Sequence, residues 1–292
     1  MVKMLAKSAP AKINLFLRVV GKRADGYHEL DSVFVPVSLC DQVAIDLRHS
    51  DRISIALRCD RSDIPDDDRN LAWRAARAFL DEYRIHAAVS IDLRKRIPAG
   101  AGLGGGSSDA GAVLRMLAAM TNQPSDDRLA KVALALGADV PFFLDPRPAR
   151  IAGVGERISP LASLPQLAIV IAAPPFEVST AAVFRELKPR DWSGPAPQSH
   201  LEALAAGAIS SAILVNDLAP VAIARHPFIG HLIDLMRSHG ASAAAMSGSG
   251  GAVFGIFADS ESARRAAGSA AQIEPATRFI AAESEASREL SR

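Results

Sequence analysis

The stretch Gly100-Ala-Gly-Leu-Gly-Gly-Gly106 constrains this chain more than any other, because five of its seven residues are glycine and Ser107-Ser108-Asp109 follow at once. Glycine takes positive φ freely and lets another group come close to the backbone. Behind the run, Ala112–Met120 is rich in Ala, Leu and Met at helical spacing. The first N–H groups of a helix have no partner within it, and the helix dipole adds positive potential at that end. A glycine-rich turn that opens a helix is therefore a site for an anion, most often a phosphate. The competing reading is a flexible turn that merely precedes a helix. Glycine density and the Ser-Ser-Asp ending favour phosphate.

Two familiar phosphate loops fit poorly. Gly100-x-Gly102-x-x-Gly105 satisfies the dinucleotide fingerprint, and Asp126 and Asp127 lie near the position of a ribose-binding acid. That fingerprint follows a strand directly, whereas Arg94-Lys-Arg-Ile-Pro98 intervenes here. A P-loop would carry lysine after Gly105, and this chain has Gly106. The loop thus offers backbone and hydroxyl groups only, and its cation must come from elsewhere.

At 292 residues the chain is long for one core and predicts two domains, divided between residues 158 and 159 among the proline-containing loops around Pro146, Pro148, Pro160 and Pro165. The formal net charge is +1, which argues against bulk electrostatic binding to nucleic acid or an anionic membrane. Cys40 and Cys59 are the two cysteines and read as free thiols, with no Cys or His at ligand spacing beside them. The first ten residues lack an apolar core followed by a cleavage site, and no apolar run is long enough to cross a bilayer. The expectation is a cytoplasmic protein.

Residues 13–20, 32–39, 42–47 and 52–57 alternate as strands do, and the short polar breaks between them predict an antiparallel, hairpin-connected sheet. Asn70 or Asp68 is placed to cap a helix over 71–83, and residues 88–93 form a strand leading into the glycine loop. Ser125 is placed to cap a helix over 126–136, which Gly137 stops. Beyond the division come a strand at 167–173, helices at 180–187, 199–208, about 213–224 and 229–239, a strand at 252–257, a helix at about 260–271 and a strand around 277–282. The final polar residues read as frayed.

Ser247-Gly-Ser-Gly-Gly251 is a second glycine loop. It precedes a strand, so it lacks the dipole argument and reads equally as a tight hairpin. Set beside the first loop, it could close around a triphosphate. Lys12, at a strand entrance, is either a snorkelling surface residue or the missing cation. Asp139, in Gly137-Ala-Asp-Val-Pro141, is either a turn residue or the acceptor of a proton from an attacking hydroxyl. Phosphoryl transfer needs little beyond such positioning and charge. Tyr27-His28 with Phe184 could stack on a planar ring or pack within their own loops. No His-x-x-x-His, Cys-x-x-Cys or nucleophile elbow is present, so metalloenzyme and serine-hydrolase readings have little support.

Pro10–Leu17, Arg23–Glu29, Pro98–Asp109, Leu136–Pro141 and Met246–Phe254 occur in that order. With them the chain resembles the galactokinase/homoserine kinase/mevalonate kinase/phosphomevalonate kinase superfamily over almost its whole length. Ala11-Lys-Ile-Asn-Leu15, Asp25-Gly-Tyr-His28 and the triple glycine before Ser107-Ser108 are specific to the branch that acts on a cytidine diphosphate-linked sugar alcohol. The resemblance implies an α+β, two-domain small-molecule kinase fold. Its N-terminal ATP-binding domain would hold a mixed or antiparallel sheet with helices, its C-terminal substrate-side domain an α/β plait, with the active site in the cleft between them.

The implied reaction moves the γ-phosphoryl of ATP, accompanied by Mg2+, to the 2-hydroxyl of 4-diphosphocytidyl-2-C-methyl-D-erythritol in the non-mevalonate isoprenoid pathway. Asp139 maps to the catalytic base and Lys12 to its charged partner. Pro98, Ala99, Gly100, Ala101, Gly102, Leu103, Gly104, Gly105, Gly106, Ser107 and Ser108 map to the ATP phosphate loop, with Asn70 and Lys95 on the adenine side. Asn14, Tyr27, His28, Asp139, Thr180 and Phe184 map to the acceptor pocket, with cytosine between Tyr27 and Phe184 and its edge read by His28. Ser247, Gly248, Ser249 and Gly250 form the second loop. No carboxylate stands out as a metal ligand, and Ser108 is the candidate. The rivals are another small-alcohol kinase of the superfamily, a nucleotide-binding protein without kinase activity, and a non-catalytic relative. Tyr27-His28, the misplaced dinucleotide fingerprint, and the presence of both Lys12 and Asp139 argue against them in turn.

Overall fold

The computed structural model describes residues 2–285, and the expected frayed end lies outside them. Two long strands organise the first part of the chain: β1 (Val2–Lys22) pairs with β2 (His28–His49). Both are longer than the sequence predicts, and β2 replaces two expected strands. The reason lies at Cys40-Asp41, which reads as a polar break but is not one. Val33, Val35, Val37, Leu39, Asp41, Val43 and Ile45 are all buried, so the two-residue alternation continues through Asp41 with its carboxylate facing inward.

The chain divides into two compact units that are not consecutive halves. One takes the chain up to Ala11, Cys40–Ile97 and Gly104–Pro146; the other takes Lys12–Leu39, Pro98–Leu103 and the chain from Arg147 onward.

In the first unit, β3 (Ser54–Cys59) pairs with β4 (Ala87–Arg94) in parallel, and β4 pairs antiparallel with Gln42–His49 of β2. The expectation of a wholly antiparallel, hairpin-connected sheet is corrected here. A parallel pair needs a crossover, and α1 (Leu71–Glu82) supplies it. α2 (Gly105–Thr121) and α3 (Asp127–Leu136) complete the helical side. Ala72, Ala75, Ala76 and Phe79 of α1, Val113, Leu114 and Leu117 of α2, and Val43, Ile45, Val89 and Ile91 of the strands share one core. Asn70 caps α1 by accepting the Ala72 N–H at 2.9 Å. The cap of α3 is Asp126, not Ser125: its carboxylate accepts from the N–H groups of Arg128 and Leu129. Gly137 ends α3 as the sequence predicts.

In the second unit, Leu30–Phe34 of β2 pairs with β5 (Ala149–Gly153), and β5 with β6 (Arg157–Pro160), both antiparallel. The sequence reading has only proline-containing loops here. A further antiparallel sheet has the order β10-β7-β9-β8, formed by β7 (Ala168–Ala173), β8 (Ala243–Met246), β9 (Val253–Phe257) and β10 (Arg278–Glu283). α7 (Phe228–Ser238) and α8 (Ser260–Ile273) share its core through Ile229, Leu232, Met236, Ala263 and Ala270, packed with Val170, Ala172 and Val253. α4 (Thr180–Glu186), α5 (Gln198–Ala205) and α6 (Ala219–Arg225) are short. α6 starts later than the expected 213, because residues 215–217 pair with β1: Leu17 N–H donates to Val215 O at 2.8 Å and Asp217 N–H to Leu17 O at 2.9 Å. Among the described residues neither Cys40 nor Cys59 forms a disulfide. Among the described residues no helix is long and apolar enough to cross a membrane.

Candidate active site

Lys12 and Asn14 share one face of β1 and are buried, with 3% and 2% exposure, although a strand interior ordinarily excludes such groups. Their hydrogen bonds account for the placement. Lys12 Nζ donates to Asn14 Oδ1 at 2.7 Å and lies 4.6 Å from the centre of the Phe34 ring. Asn14 Nδ2 donates to Ser32 Oγ at 3.0 Å, and the Ser32 hydroxyl donates to Phe16 O. The backbone of the same two residues reaches both glycine loops: Lys12 N–H donates to Leu103 O at 2.9 Å, and Asn14 N–H to Ser247 Oγ at 3.3 Å.

The second-unit part of the first loop, Pro98–Leu103, lies against Ser247–Gly250, backbone to backbone. Gly102 has φ +83°, and a Cβ there would sit 2.6 Å from Ser247 O. A Cβ at Gly250 would sit 2.2 Å from the Ala101 carbonyl carbon. Glycine is needed here for close approach, not flexibility. Ala252 N–H donates to Ala101 O at 3.1 Å, closing the contact. Asn216 holds the second loop from behind: its Nδ2 donates to Met246 O at 2.9 Å and Gly248 O at 2.8 Å, while its Oδ1 accepts from Leu218 N–H. Sequence reasoning placed Asn216 on a helix and missed this role; its one signal was a buried-type amide beside Asp217. Thr180 Oγ1 lies 2.7 Å from Ser249 Oγ, which brings Thr180 to this loop.

His28 begins β2, and its ring stacks on Phe184 of α4 at 5.2 Å between centroids, with Trp192 edge-on at 6.0 Å. Burial, with a contribution from the Lys22 charge, lowers the His28 pKa, so its imidazole is neutral near pH 7. Tyr27 is 67% exposed. The structure therefore puts His28 itself on the face of Phe184 and adds Trp192. The loop carrying Trp192 is fixed by two buried carboxylates. Asp217 Oδ2 accepts from Val19 N–H and Ser193 N–H, and Asp31 accepts from Ala196 N–H while pairing with Arg150 through two contacts of 2.7 Å.

In the first unit, Gly104 precedes α2 in a left-handed conformation, φ 73°, without a side-chain cap, and the first turn of the helix carries no acidic residue. Its leading N–H groups are thus left for an anion. Ser108 is fully buried, and its Oγ has no hydrogen-bond partner among the described residues. Asp139 is half-buried in the short link between α3 and the 3-10 turn Pro141–Leu144. Asn70 acts as a helix cap, with Nδ2 donating to Pro65 O at 2.7 Å. Lys95 turns its ammonium inward, between the buried carboxylates of Asp41 and Asp109. Among the described residues no group of three His, Cys, Asp or Glu could hold a metal ion. A magnesium ion carried on substrate phosphates does not need one.

Residues 70–145 match the family described as the GHMP kinases N terminal domain, and residues 200–273 the family described as GHMP kinases C terminal. The chain is 40% identical over 286 residues to a 4-diphosphocytidyl-2-C-methyl-D-erythritol kinase from Geobacter sp. strain M21, covering 96% of this chain and 98% of that protein. It is 45% identical over 268 residues to a protein of the same name from Anaeromyxobacter dehalogenans, covering 90% and 84%. A crystal structure of a 4-(cytidine 5'-diphospho)-2C-methyl-D-erythritol kinase superposes with a TM-score of 0.82 at 39% identity, over 96% of this chain and 99% of that one. Homoserine kinase from Cytophaga hutchinsonii superposes with a TM-score of 0.74 at 17% identity, over 98% and 96%, and so shares the fold.

Proposed function

The chain belongs to the GHMP kinases, among the 4-diphosphocytidyl-2-C-methyl-D-erythritol kinases, and on that premise we propose that it transfers the γ-phosphoryl group of ATP to the 2-hydroxyl of 4-diphosphocytidyl-2-C-methyl-D-erythritol. The observation that carries the reading is the packing of two glycine loops against each other beside buried Lys12 and Asn14. In this proposal Pro98–Ser108 binds the triphosphate through backbone N–H groups and the serine hydroxyls. Lys12 supplies the positive charge that the loop lacks, and Asp139 takes the proton of the attacking hydroxyl, whose oxygen bonds to the γ-phosphorus as ADP leaves.

Asn14 and Thr180 are proposed to face the methylerythritol, and Tyr27, His28 and Phe184 the cytosine. A neutral imidazole can donate from one nitrogen and accept at the other, which suits the edge of a base. The support is the stacking of His28 on Phe184 and the exposure of Tyr27 next to it in sequence. Mg2+ would enter with ATP and neutralise charge on the β- and γ-phosphates, and the partnerless Oγ of Ser108 is the side-chain atom that fits it. Asn70 belongs to the adenine side in this proposal, and Lys95, whose ammonium is held by Asp41 and Asp109, would serve that side only with its backbone and stem, not its charge. The family matches at residues 70–145 and 200–273 fall on either side of the expected 158/159 division, but Asn14, Tyr27 and His28 would serve the acceptor from before it, in keeping with compact units that are not consecutive halves. A cytoplasmic location is part of the same reading.

An ATP-consumption assay on the purified chain, run with the cytidyl acceptor, mevalonate and homoserine in parallel, tests it. Turnover with the cytidyl acceptor alone is expected. Turnover with mevalonate or homoserine in its place would sink the assignment.

A further inference from the structure

Where the first glycine loop leaves its unit and where it returns, one buried cluster holds the chain. Asp41 is fully buried at its inward position on β2, and the side chains of Lys95 and Asp109 are 5% and 3% exposed. Lys95 Nζ donates to Oδ2 of Asp41 and, at 2.5 Å, to Oδ2 of Asp109. The other oxygen of Asp41 accepts the N–H groups of Arg96 and Ile97, the latter at 2.8 Å. Lys95 N–H donates to Asp60 Oδ1 at 2.8 Å. One carboxylate thus takes an ammonium and two consecutive backbone donors at the point of departure. The returning chain meets the same group: a Cβ at Gly105 would lie 3.0 Å from Ile97 Cγ2 and 3.6 Å from Asp41 Oδ2. Asp109 follows four residues into α2.

We propose that Asp41, Lys95 and Asp109 form a positioning device for the glycine loop, fixing both of its ends so that the backbone N–H groups between them converge on a phosphate; this rests on reading that loop as the ATP phosphate site. A buried cluster of two carboxylates and one ammonium is a poor choice for stability alone, since well-packed apolar residues often do as well or better. What it supplies is direction, because the ammonium, both oxygens of Asp41 and Oδ2 of Asp109 are each committed to a particular partner, while Asp109 Oδ1 has none among the described residues. The Asp109 carboxyl, pushed up to about 7 by burial and by Asp41 against the pull of Lys95, shows how much desolvation the arrangement carries. Lys95 acts here through the loop, with its ammonium turned into the protein.

The test is steady-state kinetics on the full chain for Asp109→Ala, which leaves the Asp41–Lys95 pair in place, and Asp109→Asn, which can still accept from Lys95. Inorganic tripolyphosphate, which has no base, serves as a competitor of ATP. Asp109→Ala is expected to raise the KM for ATP and the inhibition constant of tripolyphosphate by the same factor, ~10-fold or more, with the acceptor KM changed less than ~2-fold. Asp109→Asn is expected to recover most of that loss. A raised ATP KM with unchanged tripolyphosphate inhibition would mean an effect on the base and would overturn the proposal. So would a variant with a lower Tm and unaltered ATP parameters. Failure of the unaltered protein to bind ATP overturns the kinase reading and this one with it, whereas normal binding by every variant overturns this one alone.

Discussion

A carboxylate that takes a proton from a hydroxyl can be replaced by an amide of the same shape, losing basicity and little else. Asp139→Asn is expected to fold, to bind ATP at equilibrium, and to turn over at least ~10²-fold more slowly. Turnover near that of the unaltered protein would remove Asp139 from the base role. His28 offers the complementary case, since its neutral ring rests on Phe184. His28→Ala should raise the KM for the cytidyl acceptor and leave that for ATP nearly unchanged; a matching rise in both would undo the cytosine assignment. At this scale the legible residues were those whose work is local. Asn70 caps the helix that begins one residue later, so its role could be read from spacing. Lys12 could not be placed, because its burial depends on how far β1 extends and on Asn14, Ser32 and Phe34 across two strands.

Elements with local start and stop signals were legible almost to the residue. The helical run behind the glycine loop was read as far as Met120, and α2 ends one residue later, at Thr121, with Asn122 its left-handed C-cap. α3 misses by one residue at its start, because Asp126 outcompetes Ser125 for the cap. Elements set by long-range pairing were legible only where the apolar pattern is unbroken, as in β4, β7, β9 and β10, each found within a residue of its expected bounds. β2 hides behind an inward Asp41, β5 and β6 behind prolines, and the start of α6 is set by Leu17 holding residues 215–217. The two glycine loops mix both kinds of information: their composition was visible, their contact was not. That contact makes a prediction. Gly250→Ala forces the loops apart against backbone atoms and should cost about 1–3 kcal/mol of stability, read by urea unfolding. Gly106→Ala meets nothing within 4 Å and adds an alanine to a helix, so its stability should be equal or higher. A higher KM for ATP in Gly106→Ala without a loss of stability would mark that glycine as serving ligand approach; losses of stability in Gly106→Ala would contradict this account.

For the molecule as a whole, the buried cluster links stability to pH. The Asp109 carboxyl titrates near 7 when folded against an ordinary value of 3.8 when unfolded. Between those values the folded state binds more protons, so this group's contribution is full below about pH 4 and is lost as pH rises toward 7. Urea unfolding at pH 5 and pH 7.5 should show a smaller change in stability for Asp109→Asn than for the unaltered chain, and an equal change would contradict that titration. The near-zero charge balance and absence of a membrane-length apolar run were legible at this scale, whereas the interleaving of the two units was not, since it follows from two strands that composition cannot delimit. The backbone contact at Gly102 and Gly250 carries a genetic consequence. No single-nucleotide missense change in a glycine codon yields a residue without a Cβ, and at these positions that atom falls 2.6 Å and 2.2 Å from the opposite backbone. Every one-step missense neighbour of this gene at those two codons therefore begins with the loops displaced, so a lineage can leave glycine there only by moving both loops together.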